Sequence, residues 1–332
     1  MPLKQLLIGT NHGDNLSYAE QLNLKKLDTI YFNASNINNV NYVEKFVDRL
    51  QIYNDHKFKK NKDSVPYFSI YFNCVVNDSI LSKLSQFKLN KLELYNTQIV
   101  GNFVENMDCK NLEVLTLGHA YMTDEKLLRL FEKLERIIHI TINFGVHHKN
   151  IDTLLPSFLK FTNLQSLNIS SCIITNSLLV NLKNSMLTSL YIDTCNIVEN
   201  WEGIRNLKML RILYLSHINV SDDFLLCLKD LQLSHLTLNH TQINGSGLVH
   251  LIDIPLTSLD LSCSKIKDEH VVYFSNHKLE YLYLNHCPYI TPKCLKLFVS
   301  MPLSTLYLYN CPHITKKDTL FLNRDVIMDW DQ

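Results

Sequence analysis

The chain has 332 residues, 46% of them hydrophobic, with 32 basic and 32 acidic side chains. That balance supplies no general attraction to nucleic acid or to an anionic membrane, and no segment approaches the 18 or more uninterrupted apolar residues of a membrane span. Nine cysteines, an odd number without a C-x-x-C pair, argue against a disulfide framework and for a reducing, cytoplasmic setting. The early apolar stretch Leu3 to Ile8 is too short for a secretory signal.

In chain order the sequence reads as thirteen copies of one phrase, starting at Leu3, Leu27, Val65, Leu89, Leu112, Ile137, Leu164, Leu187, Leu210, Leu233, Leu256, Leu279 and Leu303. Over the middle units the interval is 23 residues. Self-similarity at such a period means stacked units, each burying its apolar face only against its neighbours. The first, fourth and sixth positions are apolar in every unit. The fourth and sixth alternate with polar residues, as a short strand with one buried face requires.

After each strand comes an apolar residue such as Ile174, Val220 or Ile266. A cap-like cluster follows: Thr123-Asp124, Ser221-Asp222, Lys267-Asp268 or Thr291-Pro292. Such residues can satisfy the first free N–H groups of a helix, and Pro292 suits the first helical position. Helical spacing follows, as in Leu127, Leu128, Phe131 and Leu134, or Leu225, Leu228 and Leu231.

Two departures stand out. The interval from Leu27 to Val65 is stretched by an insertion at 38–64, which holds an amphipathic helix near Val43 to Ile52 and the basic run His56-Lys57-Phe58-Lys59-Lys60-Asn61-Lys62. The tail at 323–332, with Val326, Ile327 and Trp330, reads as a cap over the open end of the core. A single domain at 1–332 is expected.

The template L-x-x-L-x-L-x-x-(N/C/T)-x-I resembles the leucine-rich repeat. The resemblance implies an α/β solenoid, a horseshoe with about thirteen parallel strands on the concave face and short helices on the convex face. The phrases Cys287-Pro-Tyr-Ile290-Thr291 and Cys311-Pro-His-Ile314-Thr315 resemble the cysteine-containing repeats of F-box proteins. The first unit begins at Leu3, so no F-box is expected. The Asn- and Lys-rich style resembles leucine-rich repeat effectors of intracellular bacteria such as Legionella, which implies action in a host cytosol. The alternative is a substrate-receptor subunit of a ubiquitin ligase that lacks a recognisable F-box.

No phosphate-binding glycine loop, G-x-S-x-G or H-E-x-x-H occurs, and an enzyme is not expected. No cofactor or metal is implied. Cys172, Cys195, Cys287 and Cys311 share one template position, where a thiol donates to backbone carbonyls inside the loop stack. A zinc site from Cys287, Cys311, His286 and His313 is the weaker reading. His119, His217, His240 and His286 sit one position earlier, as solvated or hydrogen-bonded loop residues.

The third, fifth, seventh and eighth positions face away from the core. Among those 52 sites only Lys91 is Lys or Arg, while Glu93, Asp193 and Asp260 are acidic, which does not suit a polyanion. The same sites hold ten of the sixteen tyrosines: Tyr31, Tyr67, Tyr71, Tyr95, Tyr191, Tyr214, Tyr281, Tyr283, Tyr307 and Tyr309. Tyrosine combines apolar area with a hydroxyl and is enriched at interface hot spots, although it also favours strands and stacks across them. The pattern points to a non-enzymatic scaffold, monomeric when unbound, that seats a protein partner on its concave face.

Overall fold

Where apolar and polar side chains alternate over a few residues, the chain extends, and in a parallel array each strand hydrogen-bonds to the one before and the one after. A computed structural model describes residues 5–9, 29–33, 44, 47–48, 68–73, 76–95, 97, 99–118, 121–145, 149–197, 201–322 and 325–327. The chain divides into two compact units, one of 1–147 with 153–164, the other of 148–152 with 165–332. In the first, β1 (Gln5–Gly9), β2 (Thr29–Asn33), β3 (Phe68–Asn73), β4 (Leu89–Tyr95), β5 (Val114–Leu117) and β6 (His139–Asn143) pair in sequence order, all parallel.

The second unit holds β7 (Lys149–Asn150), β8 (Ser166–Ser170), β9 (Cys172–Ile174), β10 (Ser189–Asp193), β11 (Asn196–Ile197), β12 (Ile212–Ser216), β13 (His235–Thr237), β14 (Ser258–Asp260), β15 (Tyr281–Tyr283), β16 (Thr305–Tyr307) and β17 (Asp325–Ile327). Its main sheet runs β8-β10-β12-β13-β14-β15-β16-β17, and β11-β9-β7 form a small parallel sheet behind the first loops. The tail expected as a cap thus supplies β17, a further strand parallel to β16, while Trp330 lies outside the described residues.

Pairing is position for position, save for one shift between Phe68 and Ser69 where β3 meets β4. Leu190 lies beside Leu213, then Leu236, Leu259, Leu282 and Leu306, and each of these leucines is 0 or 1% exposed. Stacked leucines one strand apart form a continuous apolar row, and the first and sixth positions repeat the arrangement. The register corrects one expected start. Ile70 pairs with Leu92 and Phe72 with Leu94, all core residues, so the fourth and sixth positions of the third unit fall two residues later than a start at Val65 places them.

The connecting segments are of two kinds. Alpha-helices α1 (Asp78–Lys83), α2 (Asp124–Glu132), α3 (Leu155–Phe158), α4 (Asn176–Asn181), α5 (Pro292–Phe298) and α6 (Lys316–Thr319) serve some units. Tight 3₁₀ turns at 102–105, 202–206, 222–227, 246–251 and 268–273 serve others. A 3₁₀ turn has 3.0 residues per turn, so it buries residues three apart. That is the spacing of Leu225, Leu228 and Leu231, of Leu248, Leu251 and Ile254, and of Val271, Phe274 and His277. By contrast α2 buries Leu127, Leu130 and Phe131, and α5 buries Cys294, Leu295 and Phe298, the mixed three-and-four spacing of an α-helix.

The cap-like clusters divide as well. Thr123 and Thr291 cap their helices by accepting from the N–H groups of Lys126 and Lys293, both at 3.3 Å, and Pro292 opens α5. Asp222 instead reaches the next repeat, accepting from the N–H groups of Asn244, Gly245 and Gly247 at 2.7, 3.0 and 2.7 Å. Asp78 does the same for Val100 and Phe103, Asn176 for Gly203, and Asp268 for Thr291. These side chains lock each connection to the one after it, and a Cβ at Gly247 would meet the Asp222 carbonyl oxygen at 2.3 Å.

Of the helix expected at 43–52, positions 44, 47 and 48 are described and are helical. Val47 is buried, and Glu44 and Asp48 pair with Lys83 at 2.9 and 2.6 Å. The basic run at 56–62 lies outside the described residues.

Asp222 is buried, so removing it strands three backbone donors that water does not reach freely. Asp222→Ala is expected to lower stability by about 3 kcal/mol in urea unfolding, with Asp223→Ala, an exposed neighbour, changing it by less than about 0.5 kcal/mol.

Candidate functional site

Opposite the leucine rows, the strands present their third and fifth positions, and the chain then turns at the seventh and eighth. The turn has one backbone signature in the second unit. Ser171, Thr194, His217, His240, Cys263, His286 and Asn310, all at the eighth position, have φ between 50° and 60°. This left-handed conformation costs about 1–2 kcal/mol for an ordinary residue and is adopted most readily, glycine apart, by Asn, Asp and His.

A ladder holds the chain there. The eighth-position N–H donates to the seventh-position carbonyl of the next repeat, as in Thr194 to Ser216 at 3.0 Å, Cys263 to Asn285 at 2.8 Å and His286 to Tyr309 at 2.8 Å. The histidines of this position therefore satisfy a backbone requirement first. His119 lies outside the described residues.

The ninth-position cysteines point the other way. Cys195, Cys287 and Cys311 are buried, and their thiols donate to the sixth-position carbonyls of Ile169, Leu261 and Leu284 at 3.7, 3.3 and 3.0 Å. Cys172 and Cys195 lie 3.4 Å apart, sulfur to sulfur, as free thiols. Burial pushes the Cys287 thiol up to about 12. His286, in contrast, is exposed and packs against Tyr309 with ring centroids 5.2 Å apart. The zinc arrangement is thus not assembled: thiols are turned inward and imidazoles outward, and among the described residues no group of three or more potential ligands converges.

The outward tyrosines meet in pairs from adjacent repeats. In the first unit Tyr71 and Tyr95 are 5.2 Å apart, and a Cβ added at Gly118 would sit 3.3 Å from the Tyr95 ring. In the second unit Tyr191 faces Tyr214 at 6.0 Å, and Tyr283 stacks on Tyr307 at 4.2 Å with planes only 10° apart. Among the predicted tyrosines whose side chains are described, Tyr281 and Tyr309 are the most open, at 40% and 42% exposed. Tyr31 is described by its backbone alone, in register with Tyr71, and Tyr67 lies outside the described residues. The described members of the set therefore form several pairs, with their most exposed rings on β15 and in the turn after β16.

Charge is sparse on this face. Lys91 is paired with Glu93 at 3.0 Å. Asp260, on β14, accepts the Ser262 N–H at 2.8 Å. Burial holds its carboxyl above the usual range despite that bond. Sequence reasoning passed over a neighbouring cluster: His217 stacks on His240 at 4.1 Å, and His240 Nε2 lies 3.2 Å from Cys263 Sγ. Burial, together with His217 and His286 nearby, holds the His240 imidazole below its ordinary value. The available signal was the period itself, since residues 23 apart at one template position must become neighbours.

Solved structures with the same architecture are leucine-rich repeat proteins. A leucine-rich repeat protein of Leptospira interrogans aligns over 99% of this chain and 90% of its own, with 20% identity and a TM-score of 0.53. An internalin of Listeria monocytogenes aligns over 80% and 78%, with 19% identity and a TM-score of 0.51. TLR13, solved as a complex with single-stranded RNA, aligns over 98% of this chain but 42% of its own, with 17% identity and a TM-score of 0.51. At these identities the likeness establishes the leucine-rich repeat solenoid and stops there. No family model and no curated protein matches the sequence. Among the described residues no helix is long and apolar enough to cross a membrane.

Two outcomes follow from the turn geometry. Thr194→Gly relieves a strained, exposed, β-branched residue and is expected to raise stability by about 1 kcal/mol, whereas Thr237→Gly, in the regular strand β13, lowers it by about as much. In alkylation of the native chain at pH 8 with peptide mapping, Cys227 and Cys263, the described thiols that are not buried, are expected to label well ahead of Cys109, Cys287 and Cys311.

Proposed function

We propose that this chain is a non-enzymatic scaffold that binds another protein on the concave face of its strands, the side turned away from the core, anchored at the tyrosine cluster of β15, β16 and the turn after it. The observation that carries the reading is the state of Tyr281 and Tyr309. Both stay about two-fifths exposed beside the closed Tyr283–Tyr307 stack, on a strand face that offers no lysine or arginine in the second unit.

Cross-strand stacking accounts for Tyr283 and Tyr307 by themselves. It does not account for Tyr281 and Tyr309, which each keep about two-fifths of their surface open. Large, stiff side chains with a hydroxyl at the rim are the groups on which truncation costs most at protein interfaces, about 2 kcal/mol or more each at a hot spot. A nucleic acid is disfavoured by the acidic bias of the face and the pairing of Lys91 with Glu93. The groups a hydrolase would need are spent elsewhere: the described ninth-position thiols are buried donors to carbonyls, and the eighth-position histidines occupy strained turns.

The style of the repeats, which resembles that of effectors from intracellular bacteria, supports action in a host cytosol, with the chain monomeric until bound. A crosslinking pull-down from eukaryotic and bacterial lysates, read by mass spectrometry, identifies the partner. The variant with Tyr281, Tyr283, Tyr307 and Tyr309 all changed to Ala is expected to lose at least about tenfold in affinity for it while keeping its thermal midpoint within a few degrees. Full affinity in a folded quadruple variant would exclude this cluster as the anchor.

A further inference from the structure

Among the described residues, no lysine or arginine pairs with the Asp260 carboxylate. It occupies the fifth position of β14, in register with Thr237 on one side and Tyr283 on the other, and is only partly open to solvent. The Ser262 N–H meets one of its oxygens. The cationic group that acts on it from within the chain is the imidazole of His240, whose own environment disfavours protonation. The third, fifth, seventh and eighth positions of the second unit contain Asp193 and Asp260 but no lysine or arginine. Of the bases flanking that face, Arg211 is turned to the carbonyls of Lys208 and Leu210.

A partly dehydrated carboxylate is unfavourable unless a cation meets it, and burial already pushes this carboxyl up. Its neighbours on the β15 side are aromatic. Tyr283 lies in register beside Asp260, its ring backed by Tyr307, and Tyr281 sits two residues earlier on the same strand with its ring exposed. An anion beside a wall of π faces is complementary to one side chain above others. Guanidinium is planar, pairs with a carboxylate through two parallel N–H donors, stacks flat on an aromatic ring and sheds water more readily than ammonium.

Building on the protein-binding reading above, we propose that the partner presents an arginine side chain, which pairs with Asp260 and stacks against Tyr281 and Tyr283. The contact sets which segment of the partner docks, because a glutamate or a neutral amide at the same point leaves the partly dehydrated Asp260 uncompensated.

The full chain labelled with 3-fluorotyrosine tests this directly by fluorine NMR, with resonances assigned through Tyr281→Phe, Tyr283→Phe, Tyr191→Phe and Tyr214→Phe. Titration with N-acetyl-arginine methylamide is expected to shift the Tyr281 and Tyr283 signals saturably and to leave Tyr191 and Tyr214 in place. The citrulline analogue, equal in shape but uncharged, should bind about tenfold more weakly, and Asp260→Asn should abolish the difference between the two probes. Equal response to arginine and citrulline in the unaltered chain overturns the proposal, as does a lysine analogue that matches arginine or an Asp260→Asn variant that still discriminates. A pulled-down partner that depends on the tyrosines but is indifferent to Asp260→Asn would sink the arginine contact and leave the protein-binding reading standing.

Discussion

Everything in this molecule depends on parallel strands pairing at equal template positions, so that each residue lies beside its counterpart from the neighbouring repeat, about 4.8 Å away. A side chain in such an array is selected for what it does next to its own kind. Leucine beside leucine makes a dry row, and Leu190, Leu213, Leu236 and Leu259 are accordingly closed to solvent. Tyrosine beside tyrosine makes a stacked pair, as at Tyr283 and Tyr307, and histidine beside histidine does so at His217 and His240.

The corners obey the same constraint through the backbone. Each repeat must leave its strand within a residue or two, and the eighth position does so in a left-handed conformation at seven successive repeats. Glycine would be the cheapest residue there, yet these seven positions are filled by Ser, Thr, His, Cys and Asn. The strain is offset by the N–H ladder that the turn completes, by the ninth-position thiols or hydroxyls that bond carbonyls inside the corner, and by acidic side chains such as Asp222 that tie successive connections together. Stability in a stack of this kind sums over interfaces between neighbours, so a polar ladder repeated at every step matters as much as the leucines.

The outer face is what remains once core and corners are satisfied. It is rigid because its side chains stand on paired strands. It is nearly free of mobile charge, and its open aromatic area is gathered at β15 and β16 around Asp260. A preorganised surface of that sort loses little conformational freedom on binding.

The linear pattern determined the repeating strand, its two faces, the inward cysteine position and the apolar rows, because each depends on residue type at a fixed interval. Three things emerged only in three dimensions. The frame of β3 moved by two residues, because Phe68, Ile70 and Phe72 alternate equally well and only pairing with Leu92 and Leu94 chooses between them. The left-handed eighth position was invisible, because no glycine marks it and its sign of φ is imposed by a carbonyl from the next repeat. The solitary charge of Asp260 beside an open aromatic wall also had to wait, because whether a carboxylate lacks a partner depends on every neighbour that folding brings within reach.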